Sequence, residues 1–225
     1  MLKAASAIAM KDLRLVLARG TGLVQALLLG LLLIFVFSLS QQVGETMTPQ
    51  GAAAIFWLAS AFCQVLIYNT LYSIEEANGT RYGLLLAPVP VQSVWLGKAL
   101  SGLLLLLAAQ LVFLPATVVF LGQKLSSLWD VGLLTVLLAD VGIVALGSLL
   151  GALSQGQAAR ESLLSIVLFP LLVPVLLAGI RVGAGAFSEE MVEGCAQWLG
   201  IIGAFDALFL GTGIVLFGFL YGGED

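Results

Sequence analysis

The sequence predicts an all-α integral membrane protein with six transmembrane helices, an N-terminal amphipathic helix, and a short cytoplasmic helix between spans 2 and 3. Two observations support this prediction of the fold class. Of the 225 residues, 60% are hydrophobic and only 10% are charged, whereas a soluble domain carries about 25% charged residues. Six apolar runs also reach the length of about 20 residues that crosses a bilayer as a helix. The strict alternation of a membrane β-barrel is absent.

Composition narrows the chemistry as well. A net charge of −4 disfavours nucleic-acid binding. The chain has no histidine, so neither a zinc site nor bis-histidine haem ligation is expected from this chain alone. Cys63 lies inside an apolar run and Cys195 lies in a polar loop, so we expect no disulfide between them. No metal site and no cofactor held by this chain alone are therefore expected.

Residues 1–20 precede the first apolar run and predict a helix that lies in the membrane interface. Lys3, Lys11 and Arg14 fall on one face, where they can contact anionic headgroups. The alternative is a cationic flank that merely orients the first span. The opposite, apolar face of this helix comprises Leu2, Ala9, Leu13 and Val16.

Six predicted spans follow this helix. Ser38 and Ser40 near the end of the first would suit signal-peptide cleavage, but its apolar run exceeds the usual core of roughly 7–15 residues. We therefore expect that segment to remain as a span. The tryptophans near the span ends, Trp57, Trp95, Trp129 and Trp198, are expected to be interface anchors. The spans are Thr21–Leu39, Ala52–Tyr72, Ala99–Leu121, Leu128–Leu153, Ser162–Ile180 and Ala196–Tyr221.

The distribution of basic residues predicts the orientation. Only Lys124 and Arg181 lie on the side of the spans opposite the N-terminus, where Glu45, Glu189, Glu190 and Glu193 also lie. Because loops rich in Lys and Arg stay in the cytoplasm, we expect both termini to be cytoplasmic. The basic residues on that side are Lys3, Lys11, Arg14, Arg19, Arg81, Lys98 and Arg160.

The longest predicted cytoplasmic connection covers residues 73–98. An Asn-Gly pair turns the chain, Thr80 can cap a short helix over Arg81–Ala87, and two prolines would end that helix. A plain interfacial loop is the alternative, although it would not need this order of features. The features in order are Glu75-Glu76, Asn78-Gly79, Thr80, Pro88 and Pro90.

This order, followed by Gly97-Lys98, resembles the cytoplasmic signature of type-2 ABC transporter permeases. The segment Lys11-Asp12-Leu13-Arg14 resembles the N-terminal elbow helix of that family, and the six-span layout matches over essentially the whole chain. Within the family, the double-proline segment with Pro170 and Pro174 and the sequence Leu-Ala-Pro-Val-Pro resemble CcmB-type permeases, the B subunits of haem exporters in cytochrome c maturation. Arg81 and Tyr82 depart from the more acidic or polar character of the pattern.

The resemblance implies a single permease domain over residues 1–225. Its parts are an elbow helix at 1–20, spans 1 and 2 at 21–72, a coupling loop at 73–98 and spans 3–6 at 99–221. It further implies a multi-pass protein of the bacterial inner membrane that works with a CcmA-type ATPase subunit, a second copy of itself, haem-handling membrane subunits and a periplasmic haem carrier. The residues implied in ATPase coupling are Glu75, Glu76, Gly79, Thr80 and Arg81.

ATP hydrolysis is not expected in this chain. Gly97-Lys98 does not complete a P-loop, because Ala99 follows it and Gln92 stands where the first glycine belongs. The chain is therefore expected to be no enzyme by itself and to have no catalytic residue. ATP would act through the partner subunit, with haem as possible cargo.

Two acidic residues lie deep inside predicted spans. Burying Asp140 or Asp206 in a membrane costs at least about 2.5 kcal/mol, so each needs a partner or a water-lined site. Arg181 is the candidate partner for Asp206. The two acids either line a transport path or gate, or they join helices to each other. Pro170 and Pro174 would kink the fifth span and are candidate hinges.

Three other functions stay open on the sequence. One is a type-2 permease for another substrate, such as a drug, lipid or glycan. Another is an intramembrane enzyme, which the absence of histidine and of a nucleophile–base pair disfavours. The third is a purely structural assembly factor.

Overall fold

The computed structural model describes residues 1–41, 46–77, 79–153, 160–188 and 192–222. Eight α-helices and one 3-10 turn, Ala184–Phe187, account for the secondary structure of this part of the chain. The helices are α1 Leu2–Arg19, α2 Thr21–Leu39, α3 Pro49–Ala77, α4 Thr80–Leu86, α5 Val91–Phe120, α6 Trp129–Leu153, α7 Arg160–Gly183 and α8 Cys195–Gly222.

Six of these helices, α2, α3 and α5–α8, are long and apolar enough to cross a membrane. The prediction of six spans in an all-α fold is therefore confirmed. The first span has the predicted bounds, but α3 continues past Tyr72 to Ala77 and α5 already begins at Val91. Because a helix satisfies its own backbone hydrogen bonds, α3 and α5 can both extend beyond their apolar residues. Together with α4, these extensions make much of the 73–98 connection helical.

The bundle has two ends. The proximal end carries α1, α4, the last turns of α3 and the first turns of α5. The distal end carries the 3-10 turn and residues 121–128, where the Ser126 hydroxyl donates to the Gly185 carbonyl over 2.8 Å. There the Gln123 side chain donates to the Met47 carbonyl, also over 2.8 Å. Hydrogen bonds between loops thus fix the distal end.

Helix α1 packs against α5 through a face that overlaps the predicted one in part. Ala9 and Val16 of the predicted apolar face are buried, whereas Leu2 is 76% exposed. The other buried residues of α1 are Ala5, Ile8 and Asp12. Gly97 of α5 permits the contact, because a Cβ there would lie 2.8 Å from the Ile8 Cβ. Lys11 pairs with Glu75 of α3 over 3.0 Å, and the placement of α1 in the membrane interface stays a prediction. Gly20 separates α1 from α2 and has φ 68°, a conformation that suits glycine.

A row of polar side chains joins α3 to α6. The Tyr68 hydroxyl donates to the Val144 carbonyl over 2.8 Å, and the Tyr72 hydroxyl donates to the Ser148 carbonyl over 2.7 Å. Gly147 and Gly151 of α6 face these rings, where any side chain would collide with them. The small residues of α6 thus permit close packing, here against tyrosine rings of α3 rather than against a helix backbone.

Two of the four predicted interface tryptophans lie in the core instead. Trp57 is 1% exposed and packs on Gly179, and Trp95 is 3% exposed and packs on Gly213. Trp129, by contrast, is 57% exposed near the distal end. The position of a tryptophan near a span end therefore did not predict whether its ring is buried or exposed. Burial depends on glycines of neighbouring helices, which leave space for the rings of Trp57 and Trp95.

Candidate functional site

Four charged residues form a compact cluster at the proximal end. The Lys98 Nζ lies 2.7 Å from Glu75 Oε1 and 2.9 Å from Asp12 Oδ2. The Lys11 Nζ lies 2.8 Å from Asp12 Oδ1 and 3.0 Å from Glu75 Oε1. Two cations therefore face two carboxylates, and the cluster is neutral. It joins α1, α3 and α5 around one point, and we call it the proximal ion cluster.

Burial makes the proximal ion cluster unusual. Lys98 is fully buried, Glu75 is 1% exposed and Asp12 is 3% exposed. Lys98 gains two further contacts, a hydrogen bond of 3.4 Å to the Leu71 carbonyl and a position 5.1 Å from the centre of the Tyr72 ring. Removing one partner from such a group leaves an uncompensated buried charge, which is strongly destabilising.

Lys11 is the accessible member of the proximal ion cluster, with 35% of its side chain exposed. Burial of its ammonium group lowers its pKa, but the Asp12 and Glu75 carboxylates outweigh that effect and hold the Lys11 pKa above its usual value of 10.5. Lys11 therefore stays charged through the physiological pH range and keeps the cluster neutral.

The short helix α4 projects from the proximal end directly beside this cluster. Gly79, with φ 63°, occupies the position before the helix, a conformation that suits glycine. Ala87 ends the helix in an extended conformation, as expected of a residue before proline. On α4 itself, the apolar side chain of Leu86 is 87% exposed.

The predicted coupling residues divide into different environments. Glu75 is buried in the proximal ion cluster, whereas Glu76, Gly79 and Thr80 are exposed. Thr80 is not the helix cap: it is the first residue of α4, and its hydroxyl donates to the Glu75 carbonyl over 3.4 Å. The Arg81 side chain and Asn78 lie outside the described residues. The roles of all these residues in coupling stay predictions.

A second polar group lies near the middle of the spans. The Gln110 side-chain amide donates to Asp140 Oδ1 over 2.9 Å and to the Ser60 hydroxyl over 3.4 Å, so α3, α5 and α6 meet there. Asp140 is fully buried. Asp206 of α8 packs against Gly142, two residues along α6 from Asp140. The structure therefore brings the two predicted intramembrane acids to the same part of α6.

The other predicted gating residues lie elsewhere. Pro170 and Pro174 sit on the exposed face of α7, which continues through both of them. Arg181 lies 6.0 Å from the ring centre of Trp198, and no ion pair joins it to Asp206 in the described part of the chain. The proposed Arg181–Asp206 contact was therefore wrong. Whether Asp140, Asp206 and the prolines act in gating stays a prediction.

Sequence reasoning missed the proximal ion cluster as a unit. The available signal was Asp12, a charged residue at helical spacing from Ala5, Ile8 and Val16 on the packed face of α1. It also missed Gln110, an uncharged polar residue inside an apolar run. Among the described residues, no group of three or more metal-ligating side chains could hold a metal ion.

The fold and these sites define a class: a multi-pass α-helical membrane protein whose ordered proximal end carries a short exposed helix. The sequence matches the CcmB protein family over residues 3–219. The chain therefore belongs to the CcmB family.

Three individual proteins, each named heme exporter protein B, are also similar to this chain. The chain is similar to heme exporter protein B of Rhodobacter capsulatus, with 32% identity over 200 residues that cover 80% of this chain and 84% of the relative. It is 26% identical to heme exporter protein B of Pseudomonas aeruginosa, over 84% of both chains. The corresponding protein of Haemophilus influenzae is 24% identical over 74% of this chain and 75% of its own.

Proposed function

We propose that this chain is the membrane permease subunit of an ABC transporter complex in c-type cytochrome biogenesis. A separate CcmA-type ATPase hydrolyses ATP, and the complex exports haem or releases a haem-loaded carrier. The haem assignment is supported by three relatives, each named heme exporter protein B. The chain sits in the bacterial inner membrane with its proximal end in the cytoplasm, working with a second copy of itself and with haem-handling membrane and periplasmic partners.

The observation that carries the coupling proposal is the connection between α4 and the spans. Helix α4 lies between Glu75 of α3 and Lys98 of α5, and these two side chains are paired over 2.7 Å. This ion pair joins the two helices that flank α4 in the chain, α3 and α5. Asp12 also pairs with Lys98, so α1 belongs to the same cluster. A force on α4 therefore reaches α1, α3 and α5 together. In our proposal the ATPase docks on α4 and moves these helices as ATP is bound and hydrolysed.

The exposed side of α4 supplies the test. Leu86→Ser changes a side chain that is 87% exposed, so it removes little packing from the chain itself. We expect it to weaken co-purification of the ATPase and to lower ATPase activity of the complex. Leu17→Ser is the matched control, because Leu17 is a similarly exposed leucine of α1, at 62%. Unchanged ATPase binding and activity in Leu86→Ser would contradict coupling through α4.

The substrate requires a separate readout. Cells that lack the chain should fail to attach haem to c-type cytochromes, and the parent chain should restore attachment while Leu86→Ser restores it poorly. Normal haem attachment without the chain would favour the second candidate, a type-2 permease for a drug, lipid or glycan. A third outcome would separate the two proposals. If cells that lack the chain lose haem attachment but the Leu86→Ser variant binds and couples to the ATPase normally, the haem role stands and the α4 contact is refuted.

A further inference from the structure

A cleft of about 420 Å³ opens between α5 and α6 in the distal half of the bundle. Its floor includes Phe56 and Trp57 of α3, which are 5% and 1% exposed. Its mouth includes Leu111, Leu133 and Trp129, which are 76%, 49% and 57% exposed. The cleft thus runs from the exposed surface of two spans to a buried tryptophan.

The lining of the cleft is apolar apart from the Gln110 side chain and the indole N–H groups of Trp57 and Trp129. The amide group of Gln110 already donates to Asp140 and Ser60, so its N–H groups are committed. A single buried water needs only about 10–15 Å³ but also two to four polar partners. The cleft has space for many waters, yet its lining offers them few polar groups, namely the Gln110 carbonyl oxygen, which is buried without a hydrogen-bond partner among the described residues, and the indole N–H groups of Trp57 and Trp129. So few partners suit an apolar occupant better than a column of waters.

The position of the mouth identifies what fills this space. Leu111 and Leu133 belong to spans, and their exposed side chains face the hydrocarbon of a surrounding bilayer. Lys124 is exposed next to the lining residue Leu125 at the distal end, where a lipid phosphate would lie. The described residues that line the cleft include no charged side chain, so an anionic headgroup finds no countercharge there. These features suit a hydrocarbon chain inside and a phosphate outside.

We propose that this cleft binds an acyl chain of an anionic membrane phospholipid, which enters between α5 and α6 from the distal leaflet. The chain lies against Trp57, and its phosphate lies near Lys124. This binding does not depend on the haem proposal. It would make the packing of α3, α5 and α6 around Gln110 sensitive to the surrounding lipid.

Fluorescence quenching by brominated lipid tests the proposal. A variant with Trp95→Phe, Trp129→Phe and Trp198→Phe retains Trp57 as its single tryptophan. In bilayer discs of phosphatidylglycerol brominated along its acyl chains, we expect a loss of most Trp57 emission relative to discs of the unbrominated lipid. Bromine quenches at close range, and Trp57 is otherwise shielded from lipid by its 1% exposure.

Two leucines of α5 provide a matched pair of substitutions. Leu107→Phe narrows the cleft, because Leu107 lines it, and should restore the Trp57 emission. Leu104→Phe introduces the same side chain one turn away at a 44% exposed position outside the lining, and should leave the quenching unchanged. Unquenched Trp57 in the parent, or equal quenching in both variants, would overturn the proposal.

A second measurement tests the proposal without the single-tryptophan variant, so it does not depend on whether that variant folds. Native mass spectrometry of the otherwise unaltered chain should show one fewer tightly bound phosphatidylglycerol with Leu107→Phe, and an unchanged number with Leu104→Phe. Equal numbers in the two variants would refute acyl-chain binding. Cross-linking of Leu133→Cys between two copies, with no quenching of Trp57, would show that a second copy covers the mouth, and it would also refute the proposal.

Discussion

Replacing Lys98 by methionine should destabilise the protein by about 3–5 kcal/mol, the usual cost of breaking a buried ion pair by removing one partner. Lys98 is fully buried and lies within 2.9 Å of both Asp12 and Glu75. Without it, the proximal ion cluster retains one cation, Lys11, for the Asp12 and Glu75 carboxylates, which are each at most 3% exposed. Methionine retains most of the apolar stem of lysine, so the loss measures the missing charge and hydrogen bonds rather than a large cavity.

The free energy of unfolding can be measured by titrating the micelle-solubilised chain with SDS and following helical circular dichroism. Lys3→Met is the control, because Lys3 is an exposed lysine of the same end of the bundle, and changes at such positions stay within about 0.5 kcal/mol. Adding Glu75→Gln to Lys98→Met leaves one carboxylate, Asp12, paired with one cation, Lys11, over 2.8 Å, so it should recover much of the loss. If Lys98→Met were as stable as Lys3→Met, or the double variant no better than Lys98→Met, the proximal ion cluster would not stabilise the fold.

The same unfolding measurement checks three further predictions. Gly147→Ala should destabilise by about 1–3 kcal/mol through overpacking against α3, whereas Gly200→Ala, with open space around it, should be neutral or slightly stabilising because alanine favours helix; equal effects would contradict the close packing of α6. Asp140→Asn should be nearly neutral because it can still accept from Gln110, while Asp140→Leu should cost about 1–3 kcal/mol by leaving buried donors unpaired; similar losses would argue against that hydrogen bond. Because the Lys11 pKa is raised, the stability that Lys11 contributes is fully present below its ordinary pKa of 10.5 and is lost as pH rises through the higher folded value. The difference between the parent chain and Lys11→Met should therefore stay constant near neutral pH and shrink only in strong alkali, and a difference that disappeared at neutral pH would refute the assignment.

The coupling segment shows how far sequence reasoning reaches. The two prolines predicted a helix that ends at Ala87, and α4 ends one residue earlier, at Leu86, with Ala87 already extended, because proline restricts the residue before it whatever the tertiary context. The start was less predictable. Thr80 has the chemistry of a cap, but Gly79 adopts the left-handed conformation before the helix, and the Thr80 hydroxyl turns back to the Glu75 carbonyl. Capping depends on which carbonyls and amides lie nearby, and α3 supplies one that the sequence pattern did not reveal.

The sequence by itself determined the number and order of the spans, since a bilayer requires long apolar helices that satisfy their own hydrogen bonds, and that requirement acts on each segment separately. Only the tertiary structure decided which polar residues meet. Asp12 reaches Lys98 because Gly97 lets α1 pack closely on α5, and Gln110 reaches Asp140 because α5 packs on α6 at that depth. Such contacts depend on the rotation and depth of each helix relative to its neighbours. Apolar periodicity fixes those quantities poorly in a membrane, because lipid is as apolar as the protein core and does not favour one face of a helix over another.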